Sequence, residues 1–370
     1  MKKVLFLIHD LGGGGAEKVL VNLVNHLDPE RFDVTVQVLF GGGTNERFLK
    51  DHIKLVRVFP RMIPANTYWM KLATPALLHR LWIRDHYDIE VSYLEGPSAR
   101  VISGCEDPDT KLVCWIHIEQ KTLEKVKRSF RSERECYACY KAFHRIIAVS
   151  ETVKSDFCSL VPVEAPVDVL YNTVESDLIQ KLSAESMEES CFPQNCVKLV
   201  GVGTLKQVKG FDRLIRITEK LQKELGQRIC LCILGAGPEK EKLETLSRDL
   251  KLEDSVFFMG YQNNPYKYIA DCDLFVCASK AEGFSTAATE ALIVGTPVCT
   301  TEVSGMREML GENEYGLITE NSEEALYQGV KRMLTEPGLL DHYREKALER
   351  GKYFSVENTV KAVEQMLESV

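Results

Sequence analysis

Two glutamates and the turn between them form the clearest chemical pattern in this chain. Glu282 and Glu290 are separated by seven residues, and the stretch between them begins Gly283-Phe284-Ser285. The apolar run at 273–278 just upstream predicts a short buried strand, and Ser285 can cap the helix that follows. A strand, a tight loop and a helix start direct backbone N–H groups and the positive end of a helix dipole to one point, which favours binding of an anion.

The two carboxylates indicate what else the ligand carries. Acids beside an anion site are useful only when the ligand also has hydroxyl groups to donate to them. A nucleotide sugar has both groups: its phosphates suit the amides of residues 283–286, and its sugar and ribose hydroxyls suit Glu282 and Glu290. Two surface glutamates near a capped helix, without any ligand, would show the same spacing. Other motifs in the chain must therefore distinguish a nucleotide-sugar site from this simpler interpretation.

A second candidate site lies near the amino terminus. The apolar residues 4–8 predict a strand, and an amphipathic helix follows the four glycines at 12–15. Such a loop lets backbone approach a ligand closely and frees the amides of Gly13, Gly14 and Gly15 for binding. An NAD-dependent oxidoreductase would have a similar loop with the pattern G-x-G-x-x-G. In this chain Glu17 occupies the third glycine position, and the second predicted strand does not end in the acidic residue that would bind the ribose.

The remaining elements alternate between strands and helices, which is the pattern of an α/β protein. A chain of 370 residues is long for one core and suits two such domains. His117 ends the strand predicted at 111–117. A lone histidine is more often structural, but the carboxyl edge of a parallel sheet is where ligands bind.

Composition excludes several classes of protein. The net charge of -8 argues against a nucleic-acid binder, whose affinity needs an excess of cations. The 12 cysteines are scattered through apolar strands without zinc-like spacing, which predicts a reducing compartment and no metal site. No apolar run approaches the roughly 20 residues of a membrane span. We therefore expect a cytoplasmic protein.

Residues 64–87 and 119–145 mix basic and aromatic side chains in predicted helices. In an acidic protein these segments could form a face that lies on a membrane and meets a lipid-linked acceptor. Several glutamates stand among the cations of the second segment, so a solvated helix face explains the pattern equally well.

These motifs also resemble a known family. The stretch E-G-F-S-T-A-A-T-E-A-L-I-V-G-T-P-V, which starts at Glu282, resembles the E-x7-E motif of the GT4 family of retaining glycosyltransferases. The stretch G-T-L-K-Q-V-K-G-F-D-R-L-I, which starts at Gly203, resembles the family's G-R-L-x-x-x-K-G-x-D-x-L-I. Lys209 matches the lysine of that pattern, whereas Thr204 stands where the family has an arginine.

The resemblance implies a GT-B fold, with two doubly wound Rossmann-like domains that face each other across a cleft. It assigns residues 1–172 to an acceptor-binding domain and residues 173–352 to a domain that binds the nucleotide sugar. The last helix, within 353–370, would cross back to the first domain.

The resemblance also implies roles for individual residues. His117, Lys209 and Glu282 would be catalytic: Lys209 holds the diphosphate, Glu282 holds hydroxyls of the donor sugar, and His117 contacts that sugar near its reacting carbon. Glu290 would hold the ribose. The other expected donor contacts are Gly13, Gly14, Gly15, Thr204, Tyr261, Gly283, Phe284, Ser285 and Thr286.

The implied function is transfer of a sugar, with retention of configuration, from a nucleotide sugar to a hydroxyl of a glycan or lipid-linked acceptor. UDP is the favoured nucleotide, surface-polysaccharide assembly the favoured context, and neither a metal nor another cofactor is expected. Since Thr204 removes one cation, a non-catalytic protein that binds sugar nucleotides remains an alternative, with an NAD-dependent oxidoreductase as a third reading.

Overall fold

The computed structural model describes residues 1–64, 66–186, 192–193 and 195–370. The chain divides into two compact units. Unit 1 comprises Met1–Thr173 and Glu357–Val370, and unit 2 comprises Val174–Val356. The sequence predicted divisions after residues 172 and 352, whereas these units divide after residues 173 and 356.

Unit 1 is built on a seven-stranded sheet whose paired strands are all parallel. In chain order, its elements before the chain enters unit 2 are β1 (Lys2–Ile8), α1 (Gly15–His26), β2 (Phe32–Phe40), β3 (Lys54–Phe59), α2 (Asn66–Met70), α3 (Pro75–Trp82), β4 (Ile89–Ser92), α4 (Pro97–Ile102), β5 (Lys111–Ile116), α5 (Leu123–Val126), α6 (Glu133–Lys141), β6 (Arg145–Ala148), α7 (Glu151–Leu160) and β7 (Val167–Val169).

Unit 2 is built on a six-stranded parallel sheet. Its elements are α8 (Ser176–Ser183), β8 (Val197–Val202), α9 (Phe211–Leu225), β9 (Ile229–Leu234), α10 (Lys240–Asp249), β10 (Val256–Gly260), α11 (Tyr266–Ala270), β11 (Leu274–Cys277), α12 (Thr286–Val294), β12 (Val298–Thr301), α13 (Met306–Leu310), β13 (Leu317–Thr319), α14 (Glu323–Thr335) and α15 (Leu339–Gly351). The last helix, α16 (Val356–Ser369), belongs almost entirely to unit 1.

The strand orders confirm the predicted pair of doubly wound Rossmann-like domains. Unit 1 has the order β3-β2-β1-β4-β5-β6-β7, and unit 2 has the order β10-β9-β8-β11-β12-β13. The direction of winding reverses between β1 and β4 in the first sheet and between β8 and β11 in the second. Ligands of open α/β sheets bind beyond the carboxyl ends of the strands at such reversals.

Apolar periodicity explains the packing of the main helices. In α9 the buried face includes Phe211, Leu214, Ile215 and Leu221, which recur at the spacing of one helix side. The central strands are buried on both sides, as in β9, whose six residues are all buried. This is typical of parallel sheets that are covered by helices on both faces.

None of the helices in the described part of the chain is both long enough and apolar enough to cross a bilayer.

Candidate active site

The two motifs of unit 2 meet at the reversal of its sheet. The loop after β8 and the loop after β11 are joined by a backbone hydrogen bond, in which the N–H of Lys280 donates to the carbonyl of Val208 over 2.7 Å. One residue further on, Lys209 Nζ lies 2.6 Å from Glu282 Oε1. The predicted diphosphate lysine and the first glutamate of the E-x7-E pair are therefore direct neighbours.

The loop after β8 can pack this closely only because of its glycine. Gly210 has a φ of +66° and lies between Lys209 and the start of α9. A Cβ at this position would overlap the backbone carbonyl of Ala278, which belongs to the loop after β11. A glycine is therefore needed both for the left-handed backbone and for the contact that unites the two motifs.

Glu282 is held by two donors on the same oxygen. Ser279 Oγ donates to Oε1 over 2.6 Å, and Lys209 Nζ approaches it at the same distance. The side chain of Glu282 is 10% exposed and that of Lys209 is 27% exposed. In the described part of the chain, Glu282 Oε2 has no hydrogen bond, so this oxygen can accept from a ligand while Oε1 stays fixed.

The turn that follows is rigidly supported. Ser285 caps α12, since its Oγ accepts from the N–H of Ala288 over 3.3 Å. The ring of Phe284 packs edge-on against Phe354, with centroids 5.8 Å apart. Gly283 is also buried, whereas Thr286 is half-buried at the first helical position. The predicted N-cap and helix start lie where an anion would meet the helix dipole.

The other expected donor contacts differ in exposure. Glu290 is 4% exposed on the second turn of α12, and burial of a carboxylate is costly unless it is hydrogen bonded. Tyr261, just after β10, is 57% exposed. Thr204 is half-buried just after β8, and its carbonyl accepts from the N–H of Lys206 over 2.7 Å. Thr204 adds no charge there, while the side chain of Lys206 is exposed.

His117 lies in unit 1, immediately after β5. Its ring centroid is 4.7 Å from that of Tyr93 and 6.4 Å from that of Trp115. The residue is 7% exposed, and this burial lowers the pKa of His117 to about 3, so the imidazole is neutral at physiological pH. Among the described residues, no group hydrogen bonds to Nε2 of His117. A buried polar atom without a partner is unusual and suits a ligand contact.

Glu95 and Gln120 support His117 and were missed by the sequence analysis. Glu95 Oε2 accepts from the backbone N–H of His117 over 2.9 Å, and Oε1 accepts from Gln120 Nε2 over 3.2 Å. Burial raises the pKa of Glu95, although these hydrogen bonds oppose the shift. The signal that could have revealed Glu95 is an acid placed just after a predicted strand, directly before Gly96-Pro97.

The glycine loop of unit 1 is flanked by carboxylates. Asp10 Oδ1 accepts from the N–H of Gly12 over 2.8 Å, and its Oδ2 lies 2.7 Å from His9 Nδ1. The hydrogen bond from His9 lowers the pKa of Asp10, so the group stays charged. The carboxylate of Glu17 occupies the space that a Cβ on Gly14 would need. The donor contacts expected at Gly13, Gly14 and Gly15 stay a prediction.

Comparisons with known proteins bear on these two sites. Residues 184–350 match the family described as glycosyl transferases group 1, and residues 13–178 match glycosyltransferase family 4. This chain belongs to the GT4 group of glycosyltransferases. The matches include Lys209, Glu282 and Glu290 in one range and His117 in the other, and they leave the NAD-dependent alternative without support.

Curated relatives include a full-length match from Campylobacter jejuni. Its N-acetylgalactosamine-N,N'-diacetylbacillosaminyl-diphospho-undecaprenol 4-alpha-N-acetylgalactosaminyltransferase is 29% identical over 365 residues, which cover 96% of either chain. The lipopolysaccharide core biosynthesis glycosyltransferase LpsD of Rhizobium meliloti is 28% identical, but over only 40% of this chain and 42% of its own.

Solved structures share the GT-B fold. The HepE protein of Anabaena, solved in complex with UDP and glucose, has a TM-score of 0.76 at 18% identity, with full coverage of both chains. The sucrose-phosphate synthase of Thermosynechococcus elongatus has a TM-score of 0.80 at 17% identity, over 100% of this chain and 99% of its own. The predicted GT-B fold class is thereby confirmed.

Proposed function

We propose that this glycosyltransferase moves a sugar from a nucleotide-sugar donor to a hydroxyl of a glycan or lipid-linked acceptor, with retention of configuration. The observation that carries the proposal is the contact of Lys209 with Glu282 beside the start of α12, at the reversal of the unit 2 sheet. This arrangement presents a cation, a helix N-terminus and a hydroxyl-accepting carboxylate together, as a sugar diphosphate requires.

Lys209 would balance the negative charge that grows on the diphosphate as the glycosidic bond breaks. With threonine at 204, Lys209 and the amides at the start of α12 would balance this charge, because the side chain of Lys206 in the same loop is exposed. We propose that they do so without a metal ion. Omission of Mg²⁺ and Mn²⁺ from the assay should therefore leave the turnover number unchanged, and a strict requirement for either ion would contradict this part of the proposal.

Glu282 would accept hydroxyl protons of the donor sugar through Oε2, and Glu290 would bind the ribose. His117 would contact the donor sugar through Nε2, as a neutral group that can donate or accept one hydrogen bond. The acceptor attacks from the face that the diphosphate leaves, and the leaving phosphate takes up the acceptor proton. The backbone amides of Gly13, Gly14 and Gly15 would contribute further donor contacts, because glycines allow close approach of the backbone to a ligand.

The donor is proposed to be a UDP-sugar. HepE of Anabaena is named in complexes with UDP and UDP-glucose, and a UDP-sugar fits the proposed roles of Lys209 and Glu290. The test is a screen of UDP-, GDP-, ADP- and CMP-sugars for nucleotide release with a polyprenyl-diphosphate-linked glycan acceptor. NMR of the product then reads its anomeric configuration. Turnover of a UDP-sugar with retention is expected; an inverted product or sole use of another nucleotide would refute the assignment.

The alternative of a non-catalytic protein rests on Thr204. A protein that binds the donor but cannot stabilise the leaving group would bind UDP-sugars and release no nucleotide with any acceptor. The same screen therefore separates the two functions. Restoring the cation with Thr204→Arg should raise turnover in an enzyme that is limited by leaving-group charge.

Membrane contact is proposed for the surface formed by α2, α3 and the turn between them. Exposed apolar side chains on it are Tyr68, Leu72, Leu77 and Leu81, with exposed fractions from 46% to 84%. The turn is fixed, because Arg100 donates to the carbonyls of Met70 and Ala73 while Arg131 donates to those of Lys71 and Leu72. Together with Lys71, Arg80 and Arg84, this surface has the composition of an interfacial element.

This surface can be tested with vesicles that contain anionic lipid. Replacing Leu72 and Leu77 with serine should abolish co-flotation of the protein with the vesicles. Leu348→Ser in unit 2 removes a leucine that is similarly exposed, at 48%, and should have no effect. Equal binding by both variants would exclude the proposed surface.

A further inference from the structure

A histidine, a glutamate and a cysteine from three segments of unit 1 meet in one cluster. His79 lies on α3, Glu90 on β4, and Cys105 in the connection that follows α4. One ligand-type atom from each side chain lies within 4.8 Å of the other two. His79 Nε2 and Glu90 Oε2 are 2.8 Å apart. None of the three residues belongs to the donor or acceptor sites described above.

Glu90 occupies a position where an acid is unexpected. It lies in the middle of the sheet, where it pairs in register with Leu5 of β1 and Leu112 of β5. It is 2% exposed, whereas central strands of parallel sheets are otherwise apolar. A buried carboxylate must be paired or must bind a cation. Since Glu90 is not a surface acid, its neighbours require an explanation.

We propose that His79, Glu90 and Cys105 bind one Zn²⁺ ion, or a divalent ion of similar chemistry, as a structural metal site. Imidazole nitrogen, carboxylate oxygen and thiolate sulfur are the three ligand types that zinc accepts. In a tetrahedron with bonds of about 2.0–2.3 Å, ligand atoms lie roughly 3.3–3.7 Å apart. Small side-chain shifts bring the cluster to that geometry, and a water completes the fourth position.

Charge balance also supports a divalent cation at this position. A thiolate, a carboxylate, a neutral imidazole and a 2+ ion sum to zero, so the buried site carries no net charge. Binding releases the thiol proton and any proton on His79 to the solvent, and no oxidation or reduction takes place. The side chain of His79 is 14% exposed and Cys105 is half-buried. A metal ion can therefore reach the site from solvent past these two side chains, although Glu90 itself is buried.

The site would stabilise the position of α3. This helix carries the exposed Leu77 and Leu81 as well as Arg80, and it contacts α4. Bound zinc would connect α3 to β4 and to the segment after α4 by bonds stronger than the contact between His79 and Glu90 alone. The metal would thus support the proposed membrane-facing surface and take no part in sugar transfer.

Cobalt substitution in the full-length protein is the direct test. Co²⁺ added to metal-free protein should give one equivalent of tetrahedral d–d absorption and a thiolate-to-cobalt charge-transfer band, and Zn²⁺ should remove both. Cys105→Ser should lose the charge-transfer band, whereas Cys158→Ser, which changes an exposed cysteine on α7, should keep it. Absence of the band in the parent protein, or its persistence in Cys105→Ser, would overturn the proposal and leave an ion pair only.

A second measurement uses the parent chain, so it does not depend on the folding of a variant. Each free thiol is labelled with an alkylating reagent in the presence and absence of Zn²⁺, and the labelled positions are read by mass spectrometry. Zinc should slow the labelling of Cys105 at least tenfold and leave that of Cys158 unchanged. Equal labelling of Cys105 under both conditions would overturn the proposal.

Discussion

Glu282 has two functions, one at each of its carboxylate oxygens. Oε1 holds the side chains of Lys209 and Ser279, and Oε2 is available to the donor sugar. Glu282→Gln keeps the shape but loses the charge and the ability to accept at both oxygens. We expect turnover to fall by about 10²-fold or more, as for loss of one group that stabilises a transition state. The affinity for UDP alone should change little.

Steady-state kinetics and UDP titrations check this prediction. Ser279→Ala is the matched control, because it removes one of the two donors to Oε1 and leaves the carboxylate in place. Its turnover should fall only a few-fold. If Glu282→Gln loses affinity for UDP in proportion to turnover, the residue binds the nucleotide and the proposed role is wrong.

His117 should make stability depend on pH. Burial lowers its pKa from 6.5 to about 3 in the folded protein. Between these values the unfolded chain binds more protons than the folded chain, so the free energy of unfolding rises with pH. Acidification below pH 6.5 should therefore cost up to about 1.4 kcal/mol per pH unit from this group, and the cost levels off below pH 3.

Chemical denaturation at several pH values between 4 and 8 measures this contribution. His117→Phe retains an aromatic ring beside Tyr93 and should flatten the pH dependence below pH 6.5. His52→Gln changes an exposed histidine and should leave the parent profile intact. A His117→Phe profile that parallels the parent would show that His117 is not buried in a neutral state.

At the residue scale, motifs in the sequence were sufficient to nominate Lys209, Glu282 and Glu290. Each stands in a stretch whose glycines and cap residues restrict the backbone. Glu95 and Gln120 could not be found in this way, because neither belongs to a pattern. The pairing of β4 with β5 brings Glu95 to His117, and Gln120 then donates to Glu95.

At the scale of elements, Gly210 determines whether the two loops of unit 2 can meet. Gly210→Ala should lower the denaturant concentration at which unit 2 unfolds. The new Cβ would overlap with Ala278, and the alanine would also be strained in the left-handed backbone conformation. Gly226→Ala is the control: its φ is +63° and no atom lies within 4 Å of the added Cβ. Gly226→Ala should lower the free energy of unfolding by about 1–2 kcal/mol. Gly210→Ala should lower it by at least twice as much.

Guanidinium unfolding monitored by circular dichroism provides both values. Gly210→Ala should also weaken donor binding, since Lys209 directly precedes it, while Gly226→Ala should bind the donor as the parent does. Equal destabilisation by the two variants would mean that the two loops are not in contact.

Most helices and strands were predictable because each contains enough residues for its apolar pattern to be recognised. The strand predicted at 111–117 is one residue longer than β5, and the strand predicted at 4–8 lies within β1. Strands β7 and β13 were missed. Each has three residues and lies at a sheet edge, so neither is long enough for its pattern to be recognised.

At the scale of the whole molecule, the chain completes unit 1 with its last residues. Lys2 Nζ donates to the carbonyl of Leu367 over 2.9 Å, and Arg31 forms an ion pair with Glu364. The buried residues of α16 include Val360, Val363, Met366 and Leu367. Burial of each such side chain contributes about 1.5–3 kcal/mol, so α16 is a major part of the stability of unit 1.

A chain that ends at Ser355 should therefore destabilise unit 1 selectively. Hydrogen exchange should show faster exchange in β1 and β2, which belong to unit 1, and unchanged protection in β8 and β9 of unit 2. Equal acceleration in both units would contradict the division of the chain, and no acceleration would contradict the role of α16.

The central claim is that unit 2 binds a nucleotide sugar through Lys209 and the start of α12. Isothermal titration with the UDP-sugar selected in the turnover screen tests it most directly. The parent and Lys206→Gln should bind with similar affinity, because the side chain of Lys206 is exposed, whereas Lys209→Gln should lose at least tenfold. Equal affinity in all three proteins, or equal loss in both variants, would contradict the account.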